Sequence, residues 1–308
     1  MTRAPEMDFE DTQGARLKMA LATIRTDIDA AFDELLPVPD DTRAQLVEAM
    51  RHAAIGGGKR VRPLLLVATA TMLNVSREAA ILAGAAVESI HVYSLIHDDL
   101  PCMDDDDMRR GRPTVHKAFD EATAVLAGDA LHALAFEILT FEGVSADPFV
   151  QAELTRCLAL ASGMGGMAGG QAMDMAADSA TYDLHTITRL QQLKTGALLT
   201  ASVEMGAILA RVPPSSRVPL LSYARDIGLA FQIADDLLDH EGDEHKAGKA
   251  LRKDEDQGKQ TFVSLMGADA ARSQAKALVE QACGHLSQYG EDAGVLCDLA
   301  RYIVERDR

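Results

Sequence analysis

Residues 79–97 read AAILAGAAVESIHVYSLIH and run directly into DDLPCMDDDDMRR at 98–110. The first stretch is apolar on nearly every face, and a helix of that kind lies inside an assembly of helices. Similar segments occur at 61–73, 122–139 and 197–210, whereas strict two-residue alternation is almost absent. The breaks between such segments predict an all-α fold of about ten or more helices.

Length and composition indicate the class of protein and the number of domains. The chain has 308 residues, of which 47% are hydrophobic and 25% charged, as in an ordinary globular protein. No repeat or shift in composition marks a second domain, so we expect a frayed N-terminus at 1–14 and a single domain at 15–308. No run of about 18 apolar residues or signal-type N-terminus is evident, which predicts a cytoplasmic protein without a membrane span.

The formal net charge is −17. A surface this acidic repels nucleic-acid phosphates and anionic membranes, so we expect no nucleic-acid partner. An anionic ligand would need a local cluster of positive charge, whereas metal cations would be attracted. The four cysteines have no close pairing, which argues against a zinc knuckle or a disulfide framework.

Two acidic clusters each follow an apolar helix. The first holds six carboxylates between Asp98 and Asp107, and the second is FQIADDLLD at 231–239. Asp235 and Asp239 are four residues apart, so their carboxylates share a helix face, roughly 6 Å apart at the backbone. Either cluster alone could be a solvated surface. The occurrence of both favours ligands for a hard cation such as Mg²⁺, Mn²⁺ or Ca²⁺, and the spacing does not fit an EF-hand.

Basic residues stand beside glycines. GGGKRVRP at 56–63 places three cations next to a triple glycine at the start of a helix, which can form a phosphate cradle. It is not a Walker A loop. Further lysines adjoin glycine in 194–196, 248–249 and 258–259. Each could be an ordinary exposed lysine, but together they predict a diphosphate held by metal ions and side chains.

These segments, with LAGDAL and KTG, resemble the trans-prenyltransferases, or polyprenyl diphosphate synthases, and most closely the bacterial farnesyl diphosphate synthases. The resemblance implies a homodimeric helical barrel around a central apolar cavity. It also implies Mg²⁺-dependent head-to-tail (1′-4) condensation of isopentenyl diphosphate with dimethylallyl or geranyl diphosphate, giving farnesyl diphosphate and pyrophosphate. Three Mg²⁺ ions are expected, and Mn²⁺ could replace them. No protein nucleophile is required.

The resemblance further assigns roles to individual residues. The metal ligands would be Asp98, Asp104, Asp235 and, through water, Asp239. The allylic diphosphate would be held by Arg109 and Lys194, with Lys249 and Lys259 closing over it. Isopentenyl diphosphate would be bound by Lys59, Arg62, His91 and Arg110. The oxygen dipoles of Thr195 and Gln232 would stabilise the carbocation. Tyr93, about 7.5 Å along the helix from Asp98, would be the floor that limits the product to C15.

Spacing predicts a local irregularity. Asp98 and Asp104 are six residues apart, about 600° of rotation on a straight helix, and so lie on different faces. Pro101 obstructs helix continuation between them. We therefore expect the helix to end or bulge near Pro101, so that Asp104 swings back. Gln171 and Asp174 are interpreted as support for the site. The residues interpreted as packed core are His97, Met164, Met167, Met173 and Met175.

Other functions fit parts of the pattern. A geranylgeranyl or longer-chain synthase would share every motif. A terpene cyclase usually lacks the second aspartate motif in this form and the GGGKRVRP segment. An inactive regulatory subunit typically loses one aspartate motif, and both are intact here. A calcium-buffering protein would bind metal without turnover.

Overall fold

The computed structural model describes residues 9–177, 182–241 and 261–305. Its α-helices are α1 (Phe9–Leu35), α2 (Ala44–Ala54), α3 (Val61–Met72), α4 (Arg77–Asp98), α5 (Val115–Ala118), α6 (Glu121–Ile138), α7 (Pro148–Ser162), α8 (Met167–Ala177), α9 (Leu184–Gln191), α10 (Ala197–Leu209), α11 (Val218–Glu241), α12 (Phe262–Met266), α13 (Ala268–His285) and α14 (Gly294–Glu305). A π-helical segment, Gln192–Gly196, joins α9 to α10 and is called the π turn below. Two 3₁₀ segments span Pro214–Ser216 and Ser287–Ala293.

The all-α prediction is confirmed. The described strands are β1 (Met108–Arg109) and β2 (Arg112–Pro113), which form a two-residue antiparallel hairpin within the predicted break at 101–113. Helix α1 begins at Phe9, so it extends back into the segment that was expected to be frayed.

Helix α4 lies at the centre of the core, against α3 and α6. Its alanines at 83, 85 and 86 are fully buried. A Cβ on Gly84 would lie 3.4 Å from the Pro63 side chain, so the small residues set a close approach between α4 and α3. Within the described ranges, α4 is the helix long and apolar enough to cross a membrane, yet 67% of that apolar window is buried in the protein. Its apolar character therefore serves the helix–helix core.

The predicted irregularity near Pro101 is confirmed. Helix α4 ends at Asp98, before the proline. The chain then folds back, and the Asp104 backbone N–H donates to the Asp98 carbonyl over 2.8 Å. The turn brings the backbones of the two aspartates together although a continuous helix would separate them.

Candidate active site

A cavity of about 510 Å³ gathers residues from six separate parts of the chain. It is lined by all four residues predicted to bind isopentenyl diphosphate, namely Lys59, Arg62, His91 and Arg110. Thr195 and Phe231 line it as well. The fold thus builds a predominantly cationic cavity in a protein whose net charge is −17.

The triple glycine gives Arg110 room at this cavity. Gly56 and Gly58 have φ of +80° and +84°, a region that L side chains rarely adopt. A Cβ on Gly58 would lie 2.6 Å from Arg110 Nη1, so no larger residue fits unless the guanidinium moves. The Gly56 N–H donates to Asp29 Oδ2 over 3.2 Å, which ties the loop to α1.

Arg60 and Arg62, two residues apart, have different environments. The Arg60 side chain is fully buried and donates to Glu88 at 2.7 Å and to Asp29 at 2.6 Å. It also bonds the carbonyl of Ala54. Removing a carboxylate from such a buried pair is strongly destabilising. Arg60 therefore anchors the loop, whereas Arg62 contributes charge to the cavity.

Burial and the neighbouring cations both disfavour the protonated form of His91. Burial lowers the pKa of His91 well below its ordinary 6.5, and Arg62 and Arg110 lower it further. Burial also lowers the pKa of Arg62, which the carboxylates of Glu88 and Asp235 partly oppose. Among the described residues, no hydrogen-bond acceptor reaches the buried Arg62 Nε. A bound anion would supply such an acceptor.

Asp98 lies at the end of α4, seven residues beyond His91. Its Oδ1 accepts a hydrogen bond from Gln171 Nε2 at 2.9 Å. Burial raises the pKa of Asp98 to about 6, Lys194 opposes the rise, and Asp104 adds to it. A cation between Asp98 and Asp104 would relieve both the desolvation and the like-charge repulsion. The residues present therefore fit a hard divalent cation.

Asp99 and Asp107 of the first acidic cluster have protein partners. Asp99 is buried and receives hydrogen bonds from Arg109 Nη2 at 2.6 Å and Nε at 2.8 Å. Burial lowers the pKa of Arg109, but the Asp99 pair outweighs it, so that the net shift is upward. Asp107 pairs with Lys117 at 2.9 Å. Only part of the cluster is thus directed toward a cation, and contact between Arg109 and the allylic diphosphate stays a prediction.

Lys194 projects from the π turn, a rare geometry that is often found at functional sites. Its Nζ forms an ion pair with Asp174 of α8. Gly170, also on α8, allows the close contact, because a Cβ there would lie 2.2 Å from the Lys194 backbone nitrogen. Helix α8 thus supports both sides of the site, through Gln171 on Asp98 and Asp174 on Lys194, as expected for these two residues.

The second acidic cluster lies near the end of α11. Asp236 is buried and accepts a hydrogen bond from the Phe262 N–H at 2.8 Å, so it fixes the start of α12. Three predicted site residues on α11, Gln232, Asp235 and Asp239, are half-buried. Asp235 is close enough to raise the pKa of Arg62. The negative charge of Asp235 therefore lies near the cationic cavity. Lys249 and Lys259 lie outside the described residues.

Tyr93 belongs to an aromatic cluster between α4 and α6. Its ring meets His97 edge-on at 5.7 Å and His132 at 4.9 Å, and His132 meets Phe136 at 5.3 Å. Burial raises the pKa of Tyr93, and the Asp98 carboxylate raises it further. His97 Nε2 donates a hydrogen bond to the Val125 carbonyl, 3.1 Å away, which agrees with its interpretation as a packed residue.

Sequence reasoning missed two supports of the site. Glu88 is the only carboxylate in the apolar stretch 79–97 and neutralises Arg60; an isolated charge in an apolar helix signals a buried partner. Gly170 carried no comparable signal. The methionine interpretation is partly wrong, because Met164 is 95% and Met175 50% exposed while Met167 is buried. Met164 lies in the turn after α7.

This arrangement is that of a helical protein in which a cationic cavity lies near aspartates suited to divalent cations. The polyprenyl synthetase family model matches residues 43–295, and the chain belongs to that family. It is therefore a trans-prenyl diphosphate synthase, which acts on isopentenyl and allylic diphosphates and generally uses Mg²⁺.

Three relatives illustrate the range of similarity. A farnesyl diphosphate synthase of Escherichia coli (strain K12) is 46% identical over 272 residues, covering 85% of this chain and 90% of its own. Geranylgeranyl pyrophosphate synthase 11 of Arabidopsis thaliana is 41% identical, covering 91% of this chain and 79% of its own. The apo crystal structure of an FPP/GFPP synthase from Zymomonas mobilis is 59% identical, with a TM-score of 0.86 over 94% of this chain and 99% of the other.

Proposed function

We propose that the protein is a farnesyl diphosphate synthase. It would join isopentenyl diphosphate head-to-tail to dimethylallyl and then geranyl diphosphate, releasing pyrophosphate at each step. The observation that carries the proposal is the single cavity in which Lys59, Arg62, His91 and Arg110 converge beside the π turn that bears Lys194.

Isopentenyl diphosphate binds in the cationic cavity. Arg62 and Arg110 provide planar forks suited to phosphate oxygens, and charge-assisted hydrogen bonds of this kind are about twice as strong as neutral ones. His91, being neutral, supplies a hydrogen bond without adding to the repulsion among the arginines. The homoallylic alkene is thereby held at a fixed position relative to Thr195.

The allylic diphosphate binds at the aspartate end, where Asp98, Asp104, Asp235 and, through water, Asp239 would hold three Mg²⁺ ions. When bound, Mg²⁺ supplies positive charge that stabilises the departing diphosphate. Lys194 and Arg109 add charge on the same side, and Lys249 and Lys259 are proposed to close over it.

Chemistry then requires no protein nucleophile. The allylic C–O bond breaks with both electrons leaving on the diphosphate, and the oxygens of Thr195 and Gln232 face the resulting cation. The alkene of isopentenyl diphosphate attacks the cationic carbon, forming the new C–C bond. Loss of a proton to the released pyrophosphate restores the double bond. Exclusion of water by the buried walls protects the cation.

A longer product is the second candidate. The Zymomonas mobilis relative is described as an FPP/GFPP synthase, and geranylgeranyl synthases match at about the same identity as several farnesyl synthases. The Tyr93 cluster is the feature that favours C15, because its aromatic rings pack edge-on against one another between α4 and α6, where we propose that the growing chain stops. Product analysis must therefore resolve C15, C20 and C25.

We further propose a homodimer in the cytoplasm. Val125 and Leu126 on α6 and Phe149 on α7 are large apolar side chains that are 41–84% exposed, a feature of surfaces that bind a second protein. The four free cysteines fit a reducing compartment. Light scattering on the purified protein would give twice the chain mass, whereas a monomer at micromolar concentration would contradict the dimer.

The central experiment is incubation with Mg²⁺, labelled isopentenyl diphosphate and geranyl diphosphate. We expect a C15 product that EDTA abolishes. Asp98→Asn should lower turnover by several orders of magnitude. The matched control is Asp107→Asn, which changes the same charge in the same acidic cluster but lies against Lys117, and it should retain activity. Equal activity of Asp98→Asn and wild type would refute the assignment of the metal site.

A further inference from the structure

A second cavity, of about 530 Å³, lies between α7, α9, α10 and α11. It shares a wall with the catalytic cavity. Gln192, Leu193 and Gly196 of the π turn line the second cavity, whereas Thr195 of the same turn lines the catalytic one. Among the described residues, none of those assigned to the proposed reaction lines the second cavity.

Three arginines from three different helices surround this cavity: Arg156 of α7, Arg189 of α9 and Arg225 of α11. Within the described ranges, none of the three forms an ion pair. A guanidinium without a carboxylate partner is available to bind an anionic ligand. The described arginines that do pair with a carboxylate are Arg16, Arg43, Arg51, Arg60, Arg77, Arg109, Arg211, Arg217, Arg272 and Arg301.

The arginines that remain fall almost entirely into two groups. Arg25, Arg62 and Arg110 line the catalytic cavity. Arg112 instead contacts the His52 ring and the Ile55 carbonyl. The other group is the set around the second cavity. The first group is placed to bind an anion at the catalytic cavity. The second group likewise gathers three arginines without carboxylate partners around one cavity, which indicates an anion site there.

Nearby carboxylates do not cancel this charge. Glu153 and Glu204 also line the cavity. Both face the buried guanidinium of Arg217, at 2.7 Å from Glu153 and 3.7 Å from Glu204. Arg217 is only 3% exposed and neutralises one of these two negative charges, so the three cavity arginines remain in excess.

The floor of the cavity is apolar. Leu193, Ala201 and Ile208 are buried within it, and Leu229 lines it from α11. Exposed arginines at the mouth and aliphatic side chains below form a site with a polar end and an apolar end. Its volume falls in the range of small-molecule sites, about 300–1,000 Å³.

We propose that this cavity binds an amphipathic anion, namely a diphosphate group attached to a short hydrocarbon chain. The three guanidinium groups hold the diphosphate and the aliphatic floor holds the chain. Because the π turn forms the shared wall, occupancy alters the position of Lys194 and Thr195 and so changes turnover. The link to turnover rests on the proposed function, whereas the binding itself does not.

Binding is tested by calorimetry in EDTA, which suppresses the metal-dependent allylic site. The probes are geranyl S-thiolodiphosphate, inorganic pyrophosphate as the head alone, and a lysophosphatidic acid as a phosphorylated lipid of another source. The variant is the triple change Arg156→Gln, Arg189→Gln, Arg225→Gln. The matched control is Arg272→Gln on α13, which removes one surface charge elsewhere, and Arg110→Gln reports on the catalytic cavity.

We expect the thiolodiphosphate to bind wild type and Arg272→Gln equally, to retain its site at the second cavity in Arg110→Gln, and to bind the triple variant at least tenfold more weakly. The same affinity in the triple variant, or loss of binding in Arg110→Gln, would overturn the site. If pyrophosphate bound as tightly as the thiolodiphosphate, the proposal that the apolar floor binds the hydrocarbon chain would be refuted. Tighter binding of the lysophosphatidic acid would refute the diphosphate head. If the triple variant does not fold, the single variants should each weaken binding.

Discussion

Replacement of Gly170 by alanine tests whether α8 positions the site. An added Cβ would lie 2.2 Å from the backbone nitrogen of Lys194 and 2.5 Å from its Cα. Backbone atoms cannot rotate away, so α8 and the π turn must separate by about 1 Å to restore van der Waals contact, and displacements of that size can cost about a hundredfold in rate. The Gln171 bond to Asp98 and the Asp174 pair with Lys194 would both be stretched.

The effect on stability has two parts. Alanine is favoured over glycine in a helix by roughly 0.5–1 kcal/mol. Overpacking of a close contact costs about 1–3 kcal/mol. We therefore expect Gly170→Ala to lose about 1–2 kcal/mol, and thermal unfolding would show a decrease of several degrees. The control is Gly284→Ala on α13, where a Cβ meets nothing within 4 Å and a slight stabilisation is expected.

Steady-state kinetics separate this effect from general destabilisation. Gly170→Ala should lower kcat about a hundredfold. The KM for isopentenyl diphosphate should change little, because the glycine loop is tied to α1 through Gly56 and Arg110 lies in the β hairpin, neither of them on α8. A variant with normal kcat and normal thermal stability would refute the role of α8. An equal loss of activity in Gly284→Ala would also refute the role of α8.

Three further outcomes are expected. Tyr93→Ala should yield C20 or longer products while Tyr93→Phe keeps C15, and chromatography showing C15 from both would place the floor elsewhere. Arg110→Gln should raise the KM for isopentenyl diphosphate and Lys194→Gln that for the allylic substrate, each about ten- to a hundredfold, and equal effects on both substrates would contradict separate sites. His91 has a depressed pKa when folded, so below its ordinary 6.5 the unfolded chain binds the extra proton and stability falls. His91→Gln should reduce the loss of stability between pH 7.5 and 5.5 in urea unfolding, and an unchanged loss would exclude His91 as its source.

Short sequence patterns predicted the helix ends that neighbouring residues determine. The end of α4 at Asp98 followed from Pro101, and the opening of α3 followed from the triple glycine. Such patterns could not show that Arg60 is buried in ion pairs whereas Arg62 contributes charge to the cavity. Arg60 occupies the N-cap of α3 with φ of +52°, which turns its side chain inward toward partners 28 and 31 residues away. Only the packing of α1 and α4 creates those partners.

The separation of charge within the site depends on two elements. Helix α4 carries His91 beside the cationic cavity and Asp98 at its end, about 10.5 Å further along the helix axis. The π turn spans the same interval, because Thr195 lines the cationic cavity while Lys194 reaches Asp174 and acts on the Asp98 carboxylate. Adjacent residues of one turn therefore belong to opposite ends of the site. A displacement of this turn would move Lys194 and Thr195 together relative to the bound substrates. Its contact with Gly170 on one face and with the arginine-rimmed cavity on the other therefore bears on turnover.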